Sequence, residues 1–287
     1  MKQITILSGK GGTGKTTITA SLASLSRNAV LADCDVDAPN LHLLLKPEIQ
    51  ETIEFKGLKL ASIDIEKCVH CGLCIEKCRF EAIHEFQVDP VRCEGCKVCV
   101  YICPVGAIDF VDRICGYAYI SWTKYGPMSH ARLKPGMENS GKLVSLVRQN
   151  ARKVSEKHEY RLVLVDGPPG IGCPVIASIA DVDASIVIVE PTLSGIHDLK
   201  RALELLHYFK VEPLICINKY DLNLKNTGTI EEFCINEGVK IIGLIPFDQE
   251  VTNAIVAGLP VIEYSPNSPA SDAIKNIWNF LEKHVFD

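Results

Sequence analysis

Short apolar runs recur along the chain, and the stretches between them place apolar residues three or four positions apart. The runs QITILS (3–8), NAVLAD (28–33), RLVLVD (161–166), ASIVIVE (184–190), EPLICINK (212–219) and VKIIGLIP (239–246) predict strands. They are continuously apolar rather than alternating, as strands covered on both faces are. VSLVRQNARKVSEK (144–157), HDLKRALELLHYF (197–209), EEFCINEG (231–238) and SDAIKNIWNFLEKHVF (271–286) have helical spacing, and another helix is expected from about Lys15. This alternation predicts an α/β fold, a doubly wound parallel sheet.

The alternation breaks between residues 68 and 108. CVHCGLCIEKCRFEAIHEFQVDPVRCEGCKVCVYICPVGAI holds eight of the thirteen cysteines and repeats itself at an offset of 25. Cys68, Cys71, Cys74 and Cys78 are matched by Cys93, Cys96, Cys99 and Cys103, and Ala82-Ile83 by Ala107-Ile108. Both runs read C-x₂-C-x₂-C-x₃-C, the pattern of a bacterial-type two-cluster ferredoxin, in which the fourth cysteine of each run ligates the other cluster. Cys68, Cys71, Cys74 and Cys103 are thus expected on one [4Fe–4S] cluster, and Cys93, Cys96, Cys99 and Cys78 on the other. C-x₂-C pairs also bind zinc, but the duplicated four-cysteine runs favour iron–sulfur. The second run ends Cys103-Pro104 and the first Cys78-Arg79; the missing proline removes no ligand. The expected organisation is a first part of the α/β domain at 1–62, an inserted α+β ferredoxin domain at 63–112, and the second part at 113–287. GPMSHARLKPGMENSGKL (126–143) is rich in Gly and Pro and predicts a long loop of the functional kind.

Composition adds exclusions. With 30 Lys and Arg against 35 Asp and Glu, the net charge of −5 argues against nucleic acid as a partner. Met1-Lys2 leads straight into a strand and no apolar run reaches bilayer length, so a soluble, cytoplasmic protein is expected. Cys34, Cys216 and Cys234 read as buried small hydrophobes.

Gly9-Lys10-Gly11-Gly12-Thr13-Gly14-Lys15-Thr16, followed by Thr17, fits the phosphate-loop motif G-x-x-x-x-G-K-[ST] between a strand and a helix. Gly11, Gly12, Thr13 and Gly14 present backbone N–H groups to phosphates, Lys15 reaches the terminal ones, and Thr16 serves Mg²⁺. Asp166 ends an apolar strand and is a second Mg²⁺ partner, through water. Asp35 is expected to position the attacking water and to face the metal. Asp33 supports it, and Asp37 reads as a loop residue.

Lys10, directly after the first glycine, resembles the deviant phosphate loop of the MinD/ParA/nitrogenase-reductase superfamily of ATPases. DCDVDAPN (33–40) resembles its first switch, DGPPG (166–170) its second, and INKYD (217–221) its base-reading segment. The resemblance implies that Asn218 reads adenine and that Pro246, in IPFD, belongs to a second base-contacting loop. It also implies that Lys10 crosses a dimer interface and that ATP is held between two subunits. YGPMSHARLKPGMENSGKLV and GIGCP look like members that carry an inserted ferredoxin domain. The resemblance then implies a homodimer, or a heterodimer with a paralogue, holding ATP, Mg²⁺ and two [4Fe–4S] clusters, with a protein acceptor of clusters or electrons.

The expected role is iron–sulfur cluster or metallocofactor assembly and delivery. ATP-gated supply of low-potential electrons is the alternative, and a spatial organiser of the MinD or ParA kind a third. Cluster-carrier relatives use a C-x-x-C pair near the end of the domain, and none stands outside 68–103. Cys173, seven residues after Asp166, stands where nitrogenase reductase has a bridging cluster ligand, and is either an extra metal site or a capping thiol. Cys115 is its one partner candidate. His130 reads as a loop residue or a tuner of a nearby cluster. Lys142 reads as first-turn helix capped by Asn139 or Ser140, or as a phosphate contact. The last helix puts Ile274, Ile277, Trp278, Leu281 and Val285 on one face, with Glu282 and Asp287 diluting Lys275 and Lys283. That predicts core packing and no stable membrane anchor.

Overall fold

The computed structural model describes residues 1–26, 28–137 and 141–285. Chain order is β1 (Lys2–Ser8), α1 (Lys15–Leu25), β2 (Ala29–Asp33), α2 (Leu41–Leu45), β3 (Glu48–Ile63), α3 (Leu73–Glu76), β4 (Ile83–His84), β5 (Gln87–Val88), α4 (Val98–Ile102), β6 (Ile108–Thr123) and β7 (Gly126–Leu133). It continues α5 (Lys142–Lys157), β8 (Leu162–Pro169), α6 (Cys173–Ile179), β9 (Ala184–Val189), α7 (Leu193–Tyr208), β10 (Glu212–Asn218), α8 (Leu224–Asn236), β11 (Lys240–Ile245), α9 (Gln249–Ala257), α10 (Val261–Tyr264) and α11 (Pro269–His284).

The chain forms two compact units: Met1–Thr52 with Ala118–Arg132 and Asn139–Asp287, and Ile53–Tyr117 with Leu133–Glu138. The central sheet has the order β11-β10-β9-β1-β8-β2-β7-β6-β3. Pairing is parallel from β11 to β7. β6 and β7 are joined by only two residues, with Thr123 Oγ1 donating to the Gly126 carbonyl at 2.8 Å, so this pair is antiparallel. The sheet is therefore mixed and mostly parallel, which corrects the expectation of a purely parallel one.

One further expectation changes. The segment 126–143 is not a long loop: Gly126–Leu133 is a strand, with Met128 and Ser129 paired to Leu31 and Ala32. Glycine and proline at its start disguised the apolar face. Residues 63 and 112 both lie within the second unit.

In the second unit the sequence repeat has a structural counterpart. Asp89 N donates to Ala82 O at 2.7 Å and Asp64 N to Ala107 O at 2.8 Å, one bond the image of the other at the offset of 25. One small apolar cluster there has Ala61, Cys74, Ile83 and Ile108 as its buried members, with Cys78, Cys99 and Cys103 packed against it.

The first unit carries the main core. Ile4, Ile6, Leu31, Leu164, Ile186 and Ile188, from the middle of the sheet, are 0–1% exposed. Against it lies α11, whose Ile274, Ile277, Trp278 and Leu281 are buried and belong to the same core. Among the described residues no helix is long and apolar enough to cross a membrane. Gly243 on β11 is pressed onto Ile277: a Cβ there would land inside the contact radius of Ile277 Cγ1 and Cδ1, and Ile277 is 0% exposed. Gly243→Ala is expected to cost about 1–3 kcal/mol by overpacking. At about 2–4 °C per kcal/mol for a protein of this size, calorimetry reads that directly.

Candidate functional site

β1 ends in the glycine-rich turn, and α1 starts at Lys15. Gly12 and Gly14 sit at φ 80° and 91°, a conformation glycine adopts without strain. Gly14 also abuts Asn218, whose Nδ2 would be 2.5 Å from an added Cβ. The loop borders a cavity of about 740 Å³, lined by residues at the carboxyl ends of the parallel strands, where open α/β sheets bind ligands. Gly11, Gly12, Thr13, Gly14, Lys15, Thr16, Thr17, Asp35, Asn218 and Pro246 all line it, and so do Pro168 and Pro169 beyond Asp166.

One buried lysine faces several acids. Lys15 Nζ is 3.1 Å from Asp166 Oδ1 and 3.6 Å from Asp35 Oδ2. Thr16 Oγ1 donates to Asp166 Oδ2 at 2.8 Å, and Thr19 Oγ1 reaches Asp166 Oδ1 at 3.1 Å. Asp33 is paired with Asp166 across β2 and β8 and is 1% exposed. Its Oδ1 accepts from Asp35 N at 3.2 Å, while its buried Oδ2 has no hydrogen-bond partner, and neither has Thr13 Oγ1. Three carboxyl groups face one ammonium, and the unpartnered Asp33 oxygen marks where a proton or a further cation is accommodated. A hard, oxygen-seeking divalent cation beside phosphates suits that donor set.

Burial opposes the Lys15 charge, but Asp166 and Asp35 outweigh it and its pKa is raised. Asp33 and Asp35 are both held above the usual carboxylate range, chiefly by burial, with Asp166 adding to it and Lys15 opposing. Between the ordinary aspartate pKa and these raised ones the folded protein binds more protons than the unfolded chain. The metal-free protein should therefore lose stability as pH rises above about 4. Asp33→Asn is expected to flatten that loss by up to about 1.4 kcal/mol per pH unit while Asp33 stays protonated in the fold. Denaturant midpoints in chelator from about pH 5 to 8 measure it.

Asn218 donates from Nδ2 to the Thr13 carbonyl at 2.8 Å and accepts at Oδ1 from Lys219 N at 3.0 Å, so it pins the phosphate loop as well as lining the cavity. Lys10 turns away from the acids. Its Nζ lies 3.2 Å from Ser194 Oγ, 3.5 Å from Thr192 Oγ1 and 3.9 Å from Glu190 Oε2, and Glu190 also holds Lys219 at 2.7 Å. Sequence reasoning missed Thr19, Glu190 and Lys219. Thr19 stands one helical turn after Lys15, which was the available signal; Glu190 and Lys219 end strands at the same edge of the sheet.

The remaining candidates separate. Cys173 is exposed at the first position of α6 in the first unit, and Cys115, in the second, is 1% exposed on β6 with Sγ on the Arg113 carbonyl. His130 is not a loop residue: it is buried on β7, its Nε2 is 2.8 Å from Ser121 Oγ, and burial lowers its pKa to about 4. Lys142 opens α5 with Gly141 as the cap, and Asn139 and Ser140 lie outside the described residues, as does Asp287. Asp37 lines the large cavity. Cys34, Cys216 and Cys234 are all 0% exposed, and burial raises the Cys216 thiol to about 12.

The eight clustered cysteines gather around two small apolar cavities. Cys68, Cys71, Cys74 and Cys103 line one; Cys78, Cys93, Cys96 and Cys99 line the other. Backbone N–H groups reach the sulfurs in matched fashion, Ala82 N to Cys78 Sγ at 3.4 Å and Ala107 N to Cys103 Sγ at 3.2 Å. His70 N lies 3.4 Å from Cys68 Sγ. Burial raises the Cys74 thiol, and raises Cys99 to about 11. Thiols so placed become thiolates when a metal takes the proton's place. Among the described residues no three His, Cys, Asp or Glu side chains are arranged to hold a single metal ion.

Known proteins resemble the chain along its whole length. An uncharacterized protein of Methanocaldococcus jannaschii is 37% identical over 286 residues, 99% of this chain and 97% of that one. An iron–sulfur cluster carrier protein of Pyrococcus furiosus is 23% identical over 96% of this chain and 83% of its own. The septum site-determining protein MinD of Pyrococcus horikoshii, solved with Mg-ADP, shares the fold at a TM-score of 0.64 and 18% identity, over 100% of this chain and 98% of that one. The family model of the CobQ/CobB/MinD/ParA nucleotide binding domain matches residues 4–261. A match that runs from the first strand past the last one leaves no other assignment for the α/β part: the chain belongs to the CobQ/CobB/MinD/ParA nucleotide binding family and is a P-loop ATPase.

Proposed function

We propose that the protein is an ATP-driven dimeric switch that carries two [4Fe–4S] clusters and serves iron–sulfur or metallocofactor assembly by gating their electrons with nucleotide. The observation that carries the reading is the grouping of eight thiols, four around each of two cavities, in a chain that also has a complete phosphate loop. Four thiols of one chain around each cavity suit a cluster held permanently rather than one passed on. The absence, among the described residues, of a single-ion arrangement speaks against zinc, which draws its thiolates to about 2.3 Å from one centre.

Each residue of the nucleotide site has work in this reading. Gly12 and Gly14 turn backbone N–H groups toward the phosphates, and the start of α1 adds its positive end. Lys15, now spent on Asp166 and Asp35, turns to the terminal phosphates of ATP. Thr16 and Asp166, already hydrogen-bonded to each other, would hold Mg²⁺ with Asp35 beside them. Mg²⁺ supplies charge neutralisation between the phosphates. Asp35, released from Lys15, orients the attacking water. Asn218 holds the loop while Pro246 and the residues after it border the base. Lys10, resting on Ser194, Thr192 and Glu190, would leave these contacts to reach a second subunit, either a like copy or a paralogue.

A second reading, donation of a cluster, draws on the similarity to the iron–sulfur cluster carrier of Pyrococcus furiosus and on the exposed Cys173. Iron bookkeeping separates the two. Anaerobic protein is mixed with an apo-ferredoxin, with and without MgATP, and both are assayed for iron after separation. Retention of all iron supports gating when, in a parallel mixture, protein reduced beforehand and freed of excess reductant passes electrons to an oxidised holo-ferredoxin only with MgATP. Iron appearing on the acceptor in an ATP-dependent amount overturns it in favour of delivery.

A further inference from the structure

The repeat in the cysteine module lets each half be compared with the other, residue by residue. Positive φ recurs at the offset of 25: His70 (55°) with Gly95 (64°), Gly72 (76°) with Lys97 (67°), and Glu81 (49°) with Gly106 (62°). Each pair contains one glycine. Where Gly72 adopts the left-handed conformation freely, Lys97 adopts it against the steric preference of a residue with a Cβ. A strained backbone position is a reason to look for what the side chain does.

Lys97 stands directly before α4, between Cys96 and Cys99, and lines the cavity of Cys78, Cys93, Cys96 and Cys99. Its Nζ lies 4.9 Å from the centroid of the Phe110 ring, which walls the same cavity. Among the described residues no lysine or arginine lines the other cavity. Its wall is Phe86, with the His70 ring edge-on at 4.6 Å.

We propose that Lys97 raises the reduction potential of the cluster held by Cys78, Cys93, Cys96 and Cys99 above that of its twin, so that an electron entering the module comes to rest there. The inference rests on the reading of the module as a two-cluster ferredoxin. Reduction adds one electron and no proton, so the reduced cluster carries one more negative charge. A cation tied to the cavity wall favours that state, as hydrogen bonds to the sulfurs do. The Ala82 and Ala107 contacts occur once on each side and cancel. His70 N adds one neutral donor to the twin, a weaker influence than a full charge. Glu94 borders the same cavity as Lys97 and opposes it, which makes the effect testable in both directions.

The test is a dithionite titration of the anaerobic, intact protein, followed by electron paramagnetic resonance after iron and sulfide have been assayed. Two midpoints are expected. Lys97→Gln should lower the higher one by up to about tenfold in the equilibrium constant, or about 59 mV for one electron. The lower one should stay where it is. Lys97→Gly, which copies the twin position and relieves the backbone, should do the same without lowering the thermal midpoint. Lys97→Arg should keep the original potential, and Glu94→Gln should raise the higher midpoint. Unchanged potentials in a fully loaded Lys97→Gln protein, or a shift confined to the lower midpoint, overturn the inference. Protein that never holds iron and sulfide overturns the reading of the module itself, and this inference with it.

Discussion

Replacing Lys15 with alanine is expected to lower ATP turnover by at least about 10²–10³-fold, the usual cost of losing a preorganised donor to developing charge. The same change should destabilise the metal-free protein by about 3–5 kcal/mol, because it leaves buried charge without its partner. Lys15 is 6% exposed in its side chain and sits within 3.6 Å of both Asp35 and Asp166. Asp33 lies beside them with an oxygen already unsatisfied. The lysine therefore has two tasks, neutralising the acids at rest and meeting phosphate during turnover, and the two losses should respond differently to magnesium. Mg²⁺ can replace the missing charge among the carboxylates, so part of the stability returns when it is added. It cannot replace a side chain that reaches the terminal phosphates, so turnover stays low. Phosphate release and denaturant midpoints, each with Mg²⁺ and with chelator, separate the effects. A variant as stable as the parent in chelator would sink the electrostatic account.

How much of this was legible depends on the range of the interaction concerned. The phosphate loop is set by glycines and a lysine within eight residues, and its place between β1 and α1 follows from the flanking pattern. The strand-end acids Asp33 and Asp166 could be marked because an apolar run that stops at an aspartate needs a reason for the charge. The hairpin of β6 and β7 was not legible. GPMSHARL begins with glycine and proline and carries a histidine and an arginine, yet β7 pairs in parallel with β2 and its centre is buried. That partner is nearly a hundred residues away in sequence, and no local signal encodes it. His130 shows the consequence. Read locally it is a loop histidine; in the sheet it is a buried neutral ring satisfied by Ser121. Asn218 was read through the base, while its amide is bonded to the loop at Thr13.

Cys78→Ser should remove the cluster assigned to the second cysteine run, not the first. Cys78 belongs by sequence to the run Cys68, Cys71 and Cys74, but it lines the cavity of Cys93, Cys96 and Cys99. The expected result is a fall from about eight irons to about four, with the signal of the cluster on Cys68, Cys71, Cys74 and Cys103 retained. Pairing the change with Cys96→Ser should cost no further iron, because both remove ligands of one cluster. Pairing it with Cys71→Ser should empty the module. Non-additivity of this kind reports shared ligation in a way that a single variant cannot. The stability of the second unit should follow the iron. The apolar cluster that includes its cysteines is small, with Ala61, Cys74, Ile83 and Ile108 as its buried members, and offers little to offset the conformational entropy of ordering the module without crosslinks. Metal-bound small domains draw their folding free energy from the metal, so proteolysis should cut the doubly depleted module while the α/β unit, with its own core and its nucleotide, stays whole. If Cys78→Ser instead strips the cluster of its own sequence run and spares the other, each half ligates its own cluster, and the crossed arrangement around the two cavities is wrong.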